Sequence, residues 1–371
     1  MALSESAFAP YVRGVHTPLA DSADGSSPRA GGSRPSAVPA VTKGHYINPI
    51  LDWDFPDPAV IRAPDGFYYA YATQTLRDDR WINIQVARSA DLIHWEHLGD
   101  ALPDKPDWAL ETQDFWAPSV IYDGSTWFMY YSATPDVCHL HERGHALAVA
   151  TATSPAGPFV DMGMPLLLGA GFEFIDPMAY DDPATGKQLL YWGSGFQPIK
   201  VQELSKDRLS FEPESSPVDL IWPNGKNGSF PRLVEAAWVI RHDDFYYLFY
   251  SGDNCCGPHA EYGVMVARSK SATGPFETLE QAKGVPHSLM LFKSEHWLAP
   301  GHNSIVTDEA GDVWIDYHAI DVNRPRQRQE DEINSRRILL IDKIQWKDGW
   351  PFVGTPSNEP QPAPITSTPG S

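Results

Sequence analysis

The sequence predicts an all-β protein, a single five-bladed β-propeller domain with disordered tails, and three observations carry that expectation. Almost no stretch keeps an apolar 3.6-residue period beyond about a dozen residues, whereas short aromatic and β-branched runs bounded by Gly, Asp and Pro recur throughout. One pattern, a strand, a turn and an aromatic strand, occurs five times. The chain also has the length, because its 371 residues exceed an ordinary domain while barrels and propellers use over about 200 as one unit.

Along the chain, residues 1–43 are rich in Ser, Ala, Pro and Gly, as in DSADGSSPRAGGSRPSAVPAV. That composition cannot bury enough apolar surface to offset chain entropy, so a disordered tail is expected. The propeller is expected over residues 44–355, and the end of the chain, 356–371, reads as a second tail. Within the body the repeats are DPAVIRAPDGFYYAYATQ from Asp57, APSVIYDGSTWFMYYSAT from Ala117, DPMAYDDPATGKQLLYWGSG from Asp176, EAAWVIRHDDFYYLFYSGD from Glu235 and HNSIVTDEAGDVWIDYHAID from His302. Their heads lie 60, 59, 59 and 67 residues apart, and VARSADLIHWEHLG, VATATSPAGPFVDMG and VARSKSATGPFETL supply further strands after three of them. This period exceeds the roughly 40–50 residues of common propeller repeats and leaves room for extra loops. A sandwich gives no reason for five equivalent hairpins, and a β-solenoid would use shorter, stricter repeats.

Composition narrows the partners. With 48 acidic against 28 basic residues the formal charge is −20, which repels phosphate backbones and anionic lipid, and NSRRILLIDK is the one basic patch in view. Neither nucleic acid nor a membrane is therefore expected as a partner, and a neutral ligand such as a sugar fits better. No run of 18 apolar residues exists, and the first 16 residues lack the basic start and apolar core of a signal peptide. The default location is then cytoplasmic, or secreted if the sequence lacks its native leader. Three cysteines exclude a disulfide framework; the adjacent Cys255 and Cys256 either close a vicinal ring or remain thiols, with no nearby base to make them nucleophiles. The sequon at 227–229 has meaning only after secretion.

In a propeller the first strand of each blade lines the central channel, so the five heads form a ring at one end of it. That ring reads Asp57, Ala117, Asp176, Glu235, His302. Singly, Asp57 and Asp176 also fit a plain Asp-Pro strand start, and His302 fits an ordinary hydrogen-bonding histidine. Glu235 is harder to dismiss, because RLVEAAWV sets a lone carboxylate inside an apolar strand, where burial without partners is costly. Register across five repeats favours a site. Glycosidic hydrolysis needs a raised-pKa acid and a carboxylate base, with a third carboxylate able to tune the acid, and the ring supplies all three.

These same stretches resemble glycoside hydrolase family 43, five-bladed propeller enzymes acting on arabinan, arabinoxylan and related furanosides or xylosides. The resemblance spans residues 45–355 and is carried by FPDPAV, FWAPSVIYDGSTWFMYYSA, FIDPMAYDD, RLVEAAWVI, GVMVARSKSATGPF, APGHNSIVTDEAGDVWIDYHA and ILLIDKIQWKDGWP. It implies Asp57 as general base, Asp176 as pKa modulator and Glu235 as general acid. It also implies that His302 is a channel histidine holding water or a hard cation such as calcium, with no cofactor required for the chemistry. One departure is Ser119 in WAPSV, where many members carry an acid; it bears on substrate preference rather than on the catalytic trio. The implied activity is cleavage of α-L-arabinofuranosyl linkages in plant cell-wall arabinan, arabinoxylan side chains or their oligosaccharides. A β-xylosidase or exo-β-galactosidase is the alternative within the class, and a non-catalytic carbohydrate-binding propeller the alternative outside it. The preference for arabinan rests on the short end of the chain, since β-xylosidases of this kind usually append a C-terminal β-sandwich.

Most of the thirteen Trp belong to blade cores. Those beside the heads are expected as pocket walls for sugar stacking: Trp53 and Phe55, Trp116, Phe174 and Trp192. Asp57 and Glu235 head blades one and four, so they are expected to face each other across the channel with the roughly 6.5–9.5 Å gap of an inverting enzyme. The segment PDVCHLHERGHALAV is a candidate rim loop, and its closure would decide between endo and exo action.

Overall fold

The computed structural model describes residues 44–136, 144–225, 230–329 and 332–367. The tail expected over 1–43, the sequon, and residues 137–143 of the rim segment lie outside the described residues. The described body is a five-bladed propeller built from antiparallel sheets. Blade one runs outward through Ala59–Arg62, Tyr68–Ala72, Gln85–Ser89 and Trp95–Asp100. Blade two uses Phe115–Tyr122, Trp127–Ala133, Gly144–Ala152 and Val160–Asp161, and blade three Met178–Asp181, Gln188–Trp192, Ile199–Glu203 and Val218–Ile221. Blade four uses Val234–His242, Phe245–Gly252, Gly263–Ser269 and Glu277–Thr278, and blade five Trp297–Thr307, Val313–Asp321 and Arg337–Lys343.

The aromatic runs are the second strands, and the two-residue period of a strand sends their side chains alternately into two seams. Tyr69 and Tyr71 pack toward blade two, whereas Tyr68 and Ala70 pack toward blade five. Leu189 and Tyr191 likewise face blade four, and Leu190 and Trp192 face blade two. Five apolar clusters thus fill the five seams, which is why these strands read as nearly continuous apolar runs.

The ring closes through the chain that precedes blade one. The N–H groups of Ile50 and Leu51 donate to the Leu339 carbonyl (3.0 and 3.3 Å), and that of Phe55 donates to the Arg337 carbonyl (2.7 Å). Asn48 exchanges bonds with both backbone groups of Ile341. The outer strand of blade five therefore finds its neighbour at the other end of the domain. Within the segment 356–371 expected as a tail, residues 361–365 bond to the body of the domain. Gln361–Pro362 pairs with His45–Tyr46, the Ala363 N–H donates to the Gly44 carbonyl, and Ile365 exchanges bonds with Asp308 and Glu309. Composition missed this because such a strap needs backbone groups rather than an apolar face.

Candidate active site

A left-handed residue lies in or just ahead of each inner strand: Asp57, Ala117, Asp176, Ala236 and His302 have φ between 47° and 59°. Such values are uncommon outside glycine, and five in register mark one repeated bulge. The strand register shifts at Trp116/Ser119, Glu235/Trp238 and Gly301/Ser304 accordingly. This corrects one expectation. The equivalent position in blade four is Ala236, and Glu235 stands one residue ahead, in the place that Trp116 and Gly301 hold elsewhere.

Four head N–H groups donate to the side chain that ends the preceding blade's second strand: Ala117 to Thr73 (2.9 Å), Asp176 to Ser132 (3.0 Å), His302 to Ser251 (2.9 Å) and Asp57 to His318 (3.1 Å). Blade three has Gly193 there, with φ 136° and the Pro198 carbonyl oxygen 2.6 Å from where a Cβ would stand. No side chain fits. The Ala236 N–H donates instead to Asp176 Oδ2 (3.1 Å), which pins that carboxylate beside the backbone that follows Glu235.

Asp57, Asp176, Glu235 and His302 are thereby brought together. Asp57 Oδ1 accepts from Arg337 Nη1 at 2.9 Å and lies 3.2 Å from His302 Nδ1 and 3.3 Å from His318 Nδ1, while Oδ2 accepts from Thr73. Asp176 Oδ2 lies 4.0 Å from His302 Nδ1. Glu235 accepts from Tyr262 Oη at 2.6 Å and from the Ser194 hydroxyl. Burial alone would raise the Asp57 carboxyl, but the Arg337 cation and the two imidazoles outweigh it and hold it well below the usual range. Burial, with the charges of Glu235 and Asp57, pushes Asp176 well up. Burial also raises Glu235, against the Ser194 and Tyr262 hydrogen bonds. His302 and His318 are lowered by burial, His318 to about 4, so both are neutral near pH 7. One carboxyl is displaced down beside two displaced up, and such an opposed pair of environments is what acid–base hydrolysis requires.

Of the residues expected as pocket walls, Trp116 is half-buried and lies outside the apolar seams. Its ring packs 4.6 Å from His145, which in turn packs 4.6 Å from Phe172. Phe55 and Trp192 are core residues, 0% and 1% exposed, in the seams of blades five–one and two–three. Phe174 packs into the latter seam and against Gly169. Trp53 lies between Arg77 and His97, the latter on the outermost strand of blade one. The residues next to the heads face the seams because a strand that lines the channel turns every second side chain into the blade. Among the described residues no group of three or more His, Cys, Asp or Glu is placed to hold a metal, and His302 Nδ1 is turned to Asp57. Cys255 and Cys256 form a vicinal disulfide.

Thr73, Ser194, Tyr262, His318 and Arg337 are site residues that the repeat heads did not reveal. Aligning the repeats on their second strands would have found Thr73 and His318, which share a register with Ser132, Gly193 and Ser251. Arg337 was visible only as part of the basic stretch NSRRILLIDK.

Comparisons with known proteins agree with this geometry. The "Probable arabinan endo-1,5-alpha-L-arabinosidase A" of Aspergillus flavus is 27% identical over 314 residues, 80% of this chain and 90% of that protein. The "Extracellular endo-alpha-(1->5)-L-arabinanase 1" of Bacillus subtilis is 26% identical over 310 residues, 80% of this chain and 86% of that protein. The crystal structure of a thermostable family-43 glycoside hydrolase superposes with a TM-score of 0.69 at 27% identity, covering 87% of this chain and all of the other. The sequence model of "Glycosyl hydrolases family 43" matches residues 46–351. The fold, the carboxylate ring and this match agree, and the chain belongs to glycosyl hydrolases family 43, as a glycosidase that hydrolyses O-glycosyl bonds without a cofactor.

Proposed function

We propose that this enzyme cleaves α-L-arabinofuranosyl linkages of arabinan, arabinoxylan side chains or their oligosaccharides with inversion, using Asp57 as general base, Glu235 as general acid and Asp176 as the acid's modulator. The observation that carries the reading is the opposed displacement of the carboxyls: Asp57 held low by Arg337, Asp176 and Glu235 held high by burial. A low-pKa carboxylate activates water, and a high-pKa carboxyl protonates the leaving oxygen. Asp176 stays close to Glu235 because the Ala236 N–H fixes it, so its charge opposes loss of the acid's proton. Trp116, on its aromatic stack, is the wall on which the C–H face of a sugar rests.

The names of the two arabinan-cleaving relatives support the substrate assignment. A polymer does not enter a cell, so work on arabinan itself belongs outside it, as the name of the Bacillus subtilis relative says for that protein; the cytoplasmic default is not retained. A calcium ion at His302 would meet one protein nitrogen and need water for the rest of its shell. Loss of activity on chelation, restored by calcium, is the measurement for it. The test of the main proposal is NMR of the anomeric proton in the first-formed product from linear arabinan oligosaccharides, before mutarotation. Inverted configuration is expected. Retention, or a glycosyl group trapped on Asp57, would overturn the assignment of roles.

A further inference from the structure

In the site just proposed the leaving group must depart past Glu235, because that residue protonates its oxygen. Ser194 donates to Glu235, so the loop that holds the acid also borders the departing sugar. Two residues further, at most about 7 Å along the chain, stands Phe196, a residue 40% exposed. Its backbone is left-handed (φ 65°), uncommon for a bulky side chain, so the loop directs this ring outward at a conformational cost.

Two further contacts hold it there. The Arg232 guanidinium lies over the ring, 5.6 Å from its centroid, and donates to Asp253 Oδ1 at 2.6 Å. Arg232 precedes Glu235 by three residues, so the segment that carries the acid also carries the cation over this ring. On the other side Gly195 packs so closely on Phe172 that an added Cβ would stand 3.0 Å from its carbonyl carbon. Phe172 ends the Trp116–His145–Phe172 stack. The Trp116–His145–Phe172 rings of blade two and its exit thus border the blade-three loop that carries Phe196, whose ring meets Arg232 at the entry to blade four.

We propose that Phe196, anchored by Arg232 and Asp253, is the stacking platform for the sugar on the leaving-group side of the scissile bond, so that the enzyme is selective for chains whose leaving group is itself a sugar. A sugar presents a C–H face to the ring and hydroxyls to the guanidinium donors, and a pre-anchored ring loses little entropy on binding. This rests on the hydrolase reading of the same site.

The test compares wild type, Phe196→Ala, Phe196→Trp and Arg232→Gln on arabino-oligosaccharides and on methyl α-L-arabinofuranoside, whose leaving methanol has no ring. Xylo-oligosaccharides and methyl β-xyloside are run in parallel. Phe196→Ala is expected to lower the ratio of kcat/KM on oligosaccharide to that on methyl glycoside about 3- to 10-fold, and Phe196→Trp to restore it. Arg232→Gln, which leaves the ring and its loop in place, lowers the same ratio less. An unchanged ratio in both Phe196→Ala and Arg232→Gln, or an equal loss on both substrates, would overturn the proposal, since a ring that merely props the Ser194 loop impairs both alike. If wild type cleaves only xylosides, the arabinan reading falls, and the ratio measured on xylosides still judges Phe196.

Discussion

Asp57, ahead of the first strand of blade one, and Asp316, on the second strand of blade five, are both buried aspartates, and their surroundings drive them in opposite directions. Asp57 meets a guanidinium, two imidazoles and a hydroxyl, whereas among the described residues neither carboxyl oxygen of Asp316 has a hydrogen-bond partner. Burial therefore holds Asp316 well above the carboxylate range. A raised folded pKa means stability that is complete below the unfolded value near 4 and falls as pH rises toward the folded one. Asp316→Asn is thus expected to raise the melting temperature at pH 7–8 by on the order of 2–4 °C, about 1 kcal/mol, and to give no gain at pH 4. Calorimetry at the two pH values checks this, and a gain independent of pH would refute it. On the proposed roles, activity requires Asp57 ionised and one proton held on Glu235 beside a charged Asp176. The acid limb of kcat/KM should therefore lie below the ordinary Asp range and the basic limb above the ordinary Glu value. Asp57→Asn should cost roughly 10²–10⁴-fold in rate with the circular dichroism unchanged. Asp176→Asn removes a negative neighbour of Glu235, so the acid gives up its proton sooner and the basic limb moves to lower pH.

The repeated element is a bulged strand head tied to the blade before it, and its chemistry depends on small donors from neighbouring elements. Tyr262, on the connection into the third strand of blade four, stabilises ionised Glu235 by hydrogen bonding. Tyr262→Phe should accordingly move the basic limb to higher pH, opposite in sign to Asp176→Asn, and a shift in the same direction for both variants would contradict this electrostatic account. Thr73 serves two blades at once, donating to Asp57 and accepting from the Ala117 N–H. Thr73→Val leaves that N–H unpaired, at about 1–3 kcal/mol of stability, whereas Thr73→Ser should recover most of the loss in thermal unfolding.

For the whole molecule, ring closure sets what the ends of the chain contribute. Residues 48–55 edge blade five, and residues 361–365 strap over the entry of the domain. Truncation after residue 355 is expected to lower the melting temperature by about 4–8 °C, on the order of 2 kcal/mol for the lost hydrogen bonds. Deleting residues 1–40, which carry no blade motif, should leave melting temperature and activity nearly unchanged. Melting curves of the two truncated chains test both statements, and equal effects would contradict the distinction drawn between the ends.

The number of blades, the aromatic second strands and three carboxylates near one end of the channel were legible in the sequence, because each is a local pattern repeated at a fixed spacing. DPAV, DPMA and VEAA placed Asp57, Asp176 and Glu235 without any long-range information. What only the tertiary structure decided is which side chains meet. Arg337 reaches Asp57 across 280 residues, and Ser194 reaches Glu235 across 41, because closing a ring of blades joins segments whose separation leaves no local trace. Phe55 and Trp192 looked like pocket walls from their positions and are core, since one residue of register along a strand turns a ring from channel to seam. The ionisation of the carboxylates belongs to the same class: residue type supplied the acids, but the burial and the cation that drive Asp57 down and Glu235 up exist only once five blades have closed around them.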